Sequence, residues 1–166
     1  MERADTLGDQ IAVAVDAAQY LTFSLGGNEF AVEILRVQEI RGSSPITTLP
    51  NAPDYVEGVM NLRGSIIPVL DLRARLAMGG GGGRGPAGVI IVATAGSQVK
   101  GMFVDSVSDV VSIPAAEIQQ PPDLDTPAGP RFVKGLANVA DRLVVLLDLD
   151  QVLGKDDEDA RPADAR

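Results

Sequence analysis

Apolar and polar positions along the chain alternate in short bursts, separated by breaks rich in glycine and proline. Tyr20, Thr22 and Ser24 interleave with Leu21, Phe23 and Leu25, the two-residue period of a half-buried strand. Gly26-Gly27-Asn28 supplies turn residues and residues 30–34 begin a second strand, so the pair predicts a hairpin. Residues 37–41 form a further strand candidate, ended by Gly42-Ser43-Ser44-Pro45; Pro50, Pro53 and Asp54 then punctuate a loop. Residues 55–62, a Gly64-Ser65 turn and the apolar run 66–72 follow. Leu72 and Leu76, beside Arg73 and Arg75, suit an amphipathic stretch of about two helical turns over 72–78.

Five consecutive glycines, Gly79 to Gly83, interrupt the pattern and read as a linker that cannot pack. No Lys-Ser or Lys-Thr follows them and no strand leads directly into them, so a phosphate-binding loop does not fit. The strand pattern then restarts over 89–93, 100–104 and 107–113, with Gly96-Ser97 as a turn. A proline-rich loop, 114–130, leads to strands over 132–139 and 143–149, joined at Asp141-Arg142. Residues 1–18 lack a sustained pattern and predict a flexible leader; residues 155–166 are acidic and polar and predict a disordered tail.

The second half restates the first. Tyr55-Val56-Glu57-Gly58-Val59-Met60-Asn61-Leu62 aligns with Phe132-Val133-Lys134-Gly135-Leu136-Ala137-Asn138-Val139. This offset of 77 extends to Asp71/Asp148 and Leu72/Leu149; earlier in each half the offset is 70, pairing Gly26 with Gly96 and Val37 with Val107. Each half thus carries about five short strands, and a domain near 60 residues is marginal alone. Closing the strands into a small barrel removes edges, and packing two barrels together supplies the missing burial. The expectation is a mainly β protein of two similar barrels side by side, with short helical turns; a single ten-stranded sandwich is the alternative. Barrel 1 is expected at about 19–78, a glycine linker at 79–88 and barrel 2 at about 89–154, with strand exchange between them left open.

Composition narrows the chemistry. Hydrophobic residues make up 45% and aromatics 4% without Trp, so Val, Ile, Leu and Ala must build the core. Cysteine and histidine are both absent, which removes thiolate chemistry, the commonest general base and the commonest metal ligand. The net charge of −9, with 14 basic residues in no dense run, argues against nucleic acid or an anionic membrane as partner. No stretch approaches the roughly 20 apolar residues of a spanning helix. The run Ile11 to Val15 is too short for the apolar core of a signal peptide, so a cytoplasmic location is expected. The acidic cluster Asp156 to Asp159 lacks the spaced ligands and central glycine of a calcium loop.

The most specific segment is Glu57-Gly58-Val59-Met60-Asn61-Leu62-Arg63-Gly64-Ser65-Ile66-Ile67-Pro68-Val69-Leu70-Asp71-Leu72. Its Asn-Leu-Arg-Gly, followed by an apolar strand with an internal proline and closing on Asp-Leu, resembles the hallmark of CheW-like coupling proteins. Val37-Gln38-Glu39-Ile40-Arg41-Gly42 and Val104-Asp105-Ser106-Val107-Ser108-Asp109-Val110 also look like that family. The resemblance runs from about residue 20 to about residue 153 and includes the duplication. It implies two five-stranded SH3-like barrels without enzymatic activity, cofactor, metal or catalytic residues. The partners it implies are the cytoplasmic tip of methyl-accepting chemoreceptors and the regulatory domain of a CheA-type histidine kinase, in membrane-associated signalling arrays. It further implies a receptor-binding surface at Val37, Glu39, Asn61, Leu62 and Arg63, and a kinase-binding surface at Gly42, Glu57 and Gly58. Two departures stand out: the glycine linker is longer than the family pattern, and Ala140 stands where the repeat would place a second Arg63.

Several of these residues also carry simpler expectations. Arg63 precedes a turn glycine that exposes its side chain, and is expected to pair with Glu39 on the same barrel while offering bidentate bonds to a partner carboxylate. Glu39, in an alternating segment, should face away from the core and share a face with Val37. Asn61 and Asn138 suit turn bonding, Asp71 and Asp148 suit helix N-caps, and Gly58 and Gly135 suit backbone requirements of the barrel. The rival classes are a carboxylate-based hydrolase or transferase, and an oligonucleotide-binding barrel. The first lacks an asymmetric carboxylate cluster, and two Tyr and four Phe are too few to stack bases for the second.

Overall fold

The structure is a computed structural model and describes residues 17–42, 44–76, 78, 88–121 and 132–154. Ten strands run in chain order: β1 Ala17–Leu25, β2 Asn28–Glu33, β3 Val37–Arg41, β4 Val56–Leu62, β5 Ser65–Asp71, β6 Val89–Ala95, β7 Gln98–Val104, β8 Ser106–Pro114, β9 Val133–Val139 and β10 Arg142–Leu147. They form two five-stranded sheets, ordered β8-β1-β2-β10-β9 and β3-β6-β7-β5-β4. By the repeat, β6 to β10 are the second copies of β1 to β5. Each sheet therefore takes its first hairpin from one half of the chain and its other three strands from the other half.

A contiguous division into residues 19–78 and 89–154 does not describe these sheets. The reason is local. After β2 the chain passes through a single 3₁₀ turn, Ile34–Arg36, directly into β3 with no reversing loop. It therefore leaves its own hairpin and pairs with β6 instead. The second copy does the same, passing from β7 through Asp105 into β8, which pairs with β1. The parallel pairs β2 with β10 and β5 with β7 complete the exchange. The leader boundary also moves: Ala17 and Ala18 already pair with Pro114 and Ile113. The glycine run and the acidic tail lie outside the described residues.

Three apolar clusters explain the sheet shapes. Tyr20, Ala31, Ile113, Ala137, Val144 and Leu146 come only from the first sheet. Met60, Leu62, Ile67, Val69, Ile90 and Val92 come only from the second. The largest cluster joins both, with Phe23, Leu25 and Phe30 meeting Leu70, Ile91, Met102, Val152 and Leu153. A simple two-sheet sandwich has one layer between its sheets; here each sheet also carries an apolar cluster of its own.

Local signals end the strands as their chemistry predicts. The β4–β5 hairpin turns at Arg63 (φ 52°) and Gly64 (φ 91°), and β9–β10 turns at Ala140 (φ 52°) and Asp141 (φ 65°). Positive φ at both central residues is the hairpin geometry that follows strand twist. Asn61 Oδ1 accepts from the Gly64 backbone N–H at 2.9 Å, the turn bond expected of it. Asp71 caps a one-turn helix, α1 Leu72–Arg75, by accepting from the Arg73 N–H at 3.1 Å. Asp148 likewise accepts from the Asp150 N–H at 3.1 Å, opening the helical turn Asp150–Gly154. Helix α1 is one turn, shorter than the periodicity over 72–78 suggests.

Gly58 and Gly135 also answer to geometry. Thr47 bridges Val59 through two backbone bonds of 2.8 and 2.9 Å, and Gln119 bridges Leu136 in the second copy. A Cβ on Gly58 would lie 2.2 Å from the Thr47 carbonyl oxygen; one on Gly135 would lie 2.4 Å from Ile118 Cγ2. In both copies a crossing segment lies where a side chain would stand.

Candidate partner-binding site

The second sheet brings Glu39, Arg41 and Arg63 together. Glu39 is the common acceptor: Arg41 Nη1 donates to Oε2 at 2.9 Å, and Arg63 Nη2 donates to Oε1. The Arg63 side chain is 69% exposed and that of Glu39 is 19% exposed. The carboxylate is thus held between two cations while the Arg63 guanidinium faces outward. Hydrogen bonds from Arg41 first, and then from Arg63, hold the Glu39 carboxyl below its ordinary value, against an opposing desolvation effect.

The second sheet also carries exposed aliphatics, Ile40 on the face of β3 opposite Glu39 and Arg41, and Ile66 in the hairpin that bears Arg63. Ile40, next to Glu39, is 44% exposed, and Ile66, three positions beyond Arg63, is 63% exposed. Their repeat counterparts Val110 and Leu143 are exposed as well, at 44% and 58%. The charges are not duplicated. Asp109 stands for Glu39 and turns its carboxylate to the Val110 N–H at 2.8 Å, while Ala140 stands for Arg63. The apolar surface is therefore common to both sheets, and the paired charges belong to one.

The other receptor-surface candidates fall in different settings. Val37 was expected to share an exposed face with Glu39. A register shift between them breaks the two-residue period, with Val37 opposite Ala93 and Glu39 opposite Val92, and Val37 packs against the central core. Leu62 is buried in the core of the second sheet, so it supports the surface from beneath. Asn61 is exposed, with its carbonyl oxygen committed to the Gly64 turn. Of the kinase-surface candidates, Gly42 is exposed at the end of β3, Glu57 is half-buried, and Gly58 is buried under Thr47.

Sequence reasoning paired Glu39 with Arg63 and missed Arg41, although a two-residue period puts 39 and 41 on one strand face. It also missed the buried cations that hold the fold. Arg75 is 7% exposed and donates from Nε to the Val152 carbonyl at 2.8 Å and from Nη2 to the Gln151 carbonyl at 3.1 Å. Lys100, 3% exposed, donates to the Leu153 carbonyl at 2.5 Å. Together they satisfy carbonyls of the helical turn Asp150–Gly154, where cations are favoured. Among the described residues no group of three or more potential ligands could hold a metal ion, and no helix is long and apolar enough to cross a membrane.

Two strand-exchanged sheets around a shared core define a duplicated β protein whose two copies differ in surface charge. Comparison with known proteins makes this specific. A family model described as the CheW-like domain matches residues 19–157. A chemotaxis protein CheW from Klebsiella aerogenes is 37% identical over 139 residues, covering 84% of this chain and 83% of that protein. One from Rhizobium meliloti is 39% identical over 142 residues, covering 86% and 91%. The crystal structure of the scaffolding protein TtCheW from Thermoanaerobacter tengcongensis superposes with a TM-score of 0.77 at 31% identity, covering 84% of this chain and 94% of that one. The chain belongs to the CheW-like family of chemotaxis scaffold proteins.

Proposed function

We propose that the protein is a non-enzymatic adaptor that couples methyl-accepting chemoreceptors to a CheA-type histidine kinase. The observation that carries the reading is the asymmetric cluster of Glu39, Arg41 and Arg63, with exposed Ile66 in the same hairpin as Arg63. A pre-organised guanidinium next to aliphatic surface suits a helical partner that offers a carboxylate and an apolar stripe. Arg63 and Glu39 meet the receptor tip, Asn61 holds the turn that presents Arg63, and Val37 and Leu62 buttress the surface from the core. Gly42 and Glu57, at the end of β3 and the start of β4, meet the regulatory domain of the kinase, and Gly58, buried under Thr47, shapes that surface from beneath.

The adaptor then fixes receptor and kinase in register in the cytoplasm, at membrane-associated arrays. A ligand-driven shift in the receptor reaches the kinase as a change in conformational equilibrium. Each interface is modest alone and gains avidity from assembly.

The test is co-sedimentation with receptor-containing membranes and a CheA-type kinase, using wild type and Arg63→Glu. Wild type is expected to pellet with receptor and recruit kinase, and Arg63→Glu to lose receptor binding while keeping its fold. Wild type that binds neither partner overturns the function; Arg63→Glu that binds receptor normally overturns the site.

A further inference from the structure

The two oxygens of the Glu39 carboxylate each take a different arginine. Arg63 Nη2 donates to Oε1, and Arg41 Nη1 donates to Oε2 at 2.9 Å. Arginine and carboxylate often pair through two parallel bonds, with both oxygens on one guanidinium. Arg41 prevents that arrangement here, because it already holds Oε2. Arg63 therefore gives Glu39 one nitrogen, and its Nε and Nη1 have no partner among the described residues.

Local structure keeps Arg41 in that place. Pairing with β6 is regular from Glu39 to Arg41, so the two-residue period sets their side chains next to each other on one face of β3. Just past the strand, Ser44 Oγ accepts a long bond of 3.4 Å from Arg41 Nε and steadies the guanidinium from its other side.

The strand does not need an arginine there in order to pair. At the offset of 70, Val111 stands for Arg41 and Asp109 for Glu39; Ala140 stands for Arg63. Val111 packs against the first sheet's own apolar cluster, and β8 pairs with β1 through it. The second copy thus lacks both arginines, and the first copy has both.

We propose that Arg41 is a positioning residue for partner binding: by holding Oε2 it stops Glu39 from clasping Arg63 with both oxygens, and so keeps donors of Arg63 for a partner carboxylate. Arg63 makes the contact, and Arg41 acts on it through Glu39. This deepens the coupling reading and rests on it.

In the intact protein without receptor, nitrogen-15 exchange NMR reads rotation about the Cζ–Nε bond of Arg63, which a two-oxygen clasp slows. Arg41→Ala is expected to slow this rotation on the order of tenfold. Arg41→Lys still donates to Oε2 and should leave it near the wild-type rate. Titration with receptor-containing membranes should show affinity lost on the order of tenfold in Arg41→Ala and recovered in Arg41→Lys. Arg41 is partly exposed, so both variants keep the fold, which urea midpoints check. Rotation that Arg41→Ala leaves unchanged or speeds up overturns the proposal. Slowed rotation with unchanged affinity also overturns it, as does an affinity loss that Arg41→Lys shares in full. Wild type without receptor affinity overturns the coupling reading and this role with it; the rotation rates, read without receptor, tell that failure from a failure of the Arg41 hold on Glu39.

Discussion

Tyr55 and Phe132 occupy equivalent places in the two copies of the repeat, and their rings hold one guanidinium between them. Arg75 lies 4.3 Å from the centroid of Tyr55 and 4.7 Å from that of Phe132. It also donates to the Val152 and Gln151 carbonyls. A single side chain from the first half thus joins both copies of the motif to the closing helical turn. Arg36 adds a second tie, donating to the Thr94 carbonyl at 3.1 Å and to Asp150 at 2.6 Å.

Replacing Arg75 by Met should therefore cost the fold about 3 kcal/mol, because charge-assisted bonds are lost in a buried setting and the ring contacts go with them. Arg75→Lys keeps the charge without the planar fork and should fall between. Urea denaturation of the three proteins checks the order. A stability for Arg75→Met within about 0.5 kcal/mol of wild type, the range of an ordinary surface change, would remove Arg75 from this role.

The two repeat glycines should not tolerate alanine equally. At Gly58 the new Cβ meets backbone, the Thr47 carbonyl, at 2.2 Å; at Gly135 the nearest atom is the Ile118 Cγ2 methyl, with the Gln119 carbonyl at 3.1 Å. A side-chain methyl, even on a stiff β-branched residue, can shift more cheaply than a bridged backbone can move. Gly58→Ala is expected to lose about 3 kcal/mol and Gly135→Ala nearer ~1 kcal/mol, the two ends of the overpacking range. Denaturation midpoints that reverse this order would refute the account.

Ala140 adopts φ 52°, a conformation that disfavours a Cβ. Ala140→Gly should therefore raise stability by about 0.5 kcal/mol, the relief of the left-handed conformation outlasting the entropy of the freer residue. Arg63 shares the same φ and offers no such free gain, because its side chain pairs with Glu39. Thermal unfolding of Ala140→Gly gives the answer directly; a fall in midpoint would show that the turn is not strained.

The pH dependence of the charged cluster has a definite sign. The folded carboxyl of Glu39 titrates below its ordinary 4.5, so its pairing with the arginines is complete above that value. The stabilisation is lost as pH falls through the depressed folded value. A carbon-13 titration of the Glu39 carboxyl should give a midpoint under 4.5. Arg41→Ala and Arg63→Ala should each move it back towards the ordinary value, since both arginines hold it down. A wild-type midpoint at 4.5 or above would contradict the geometry.

Much of the architecture was written locally. Alternation, Gly and Asn turns, and the aspartates at 71 and 148 are signals between near neighbours, so strand positions, caps and the duplication could all be read from the chain. Buried close approach was legible too, because both copies keep glycine at 58 and 135. Glu39 and Arg63 were paired correctly from the motif.

What the chain did not disclose depends on separation in sequence. Alternation says which residues face inward, but not which strand lies alongside; the exchange of hairpins between sheets follows from the short turn Ile34–Arg36 and from the three clusters that the pairing buries. The shift that turns Val37 into the core is a one-residue irregularity of pairing with β6, invisible without its partner. Arg75 and Lys100 look like surface charges in sequence. Only tertiary structure brings them against the carbonyls of residues 151–153, which have no partner within so short a helical turn and need donors from elsewhere. The sequence by itself determined the strands, the turns and the repeat, because those are set by local sterics and polarity. Tertiary structure decided which halves pair and which charges are buried, because those depend on contacts between residues far apart in the chain.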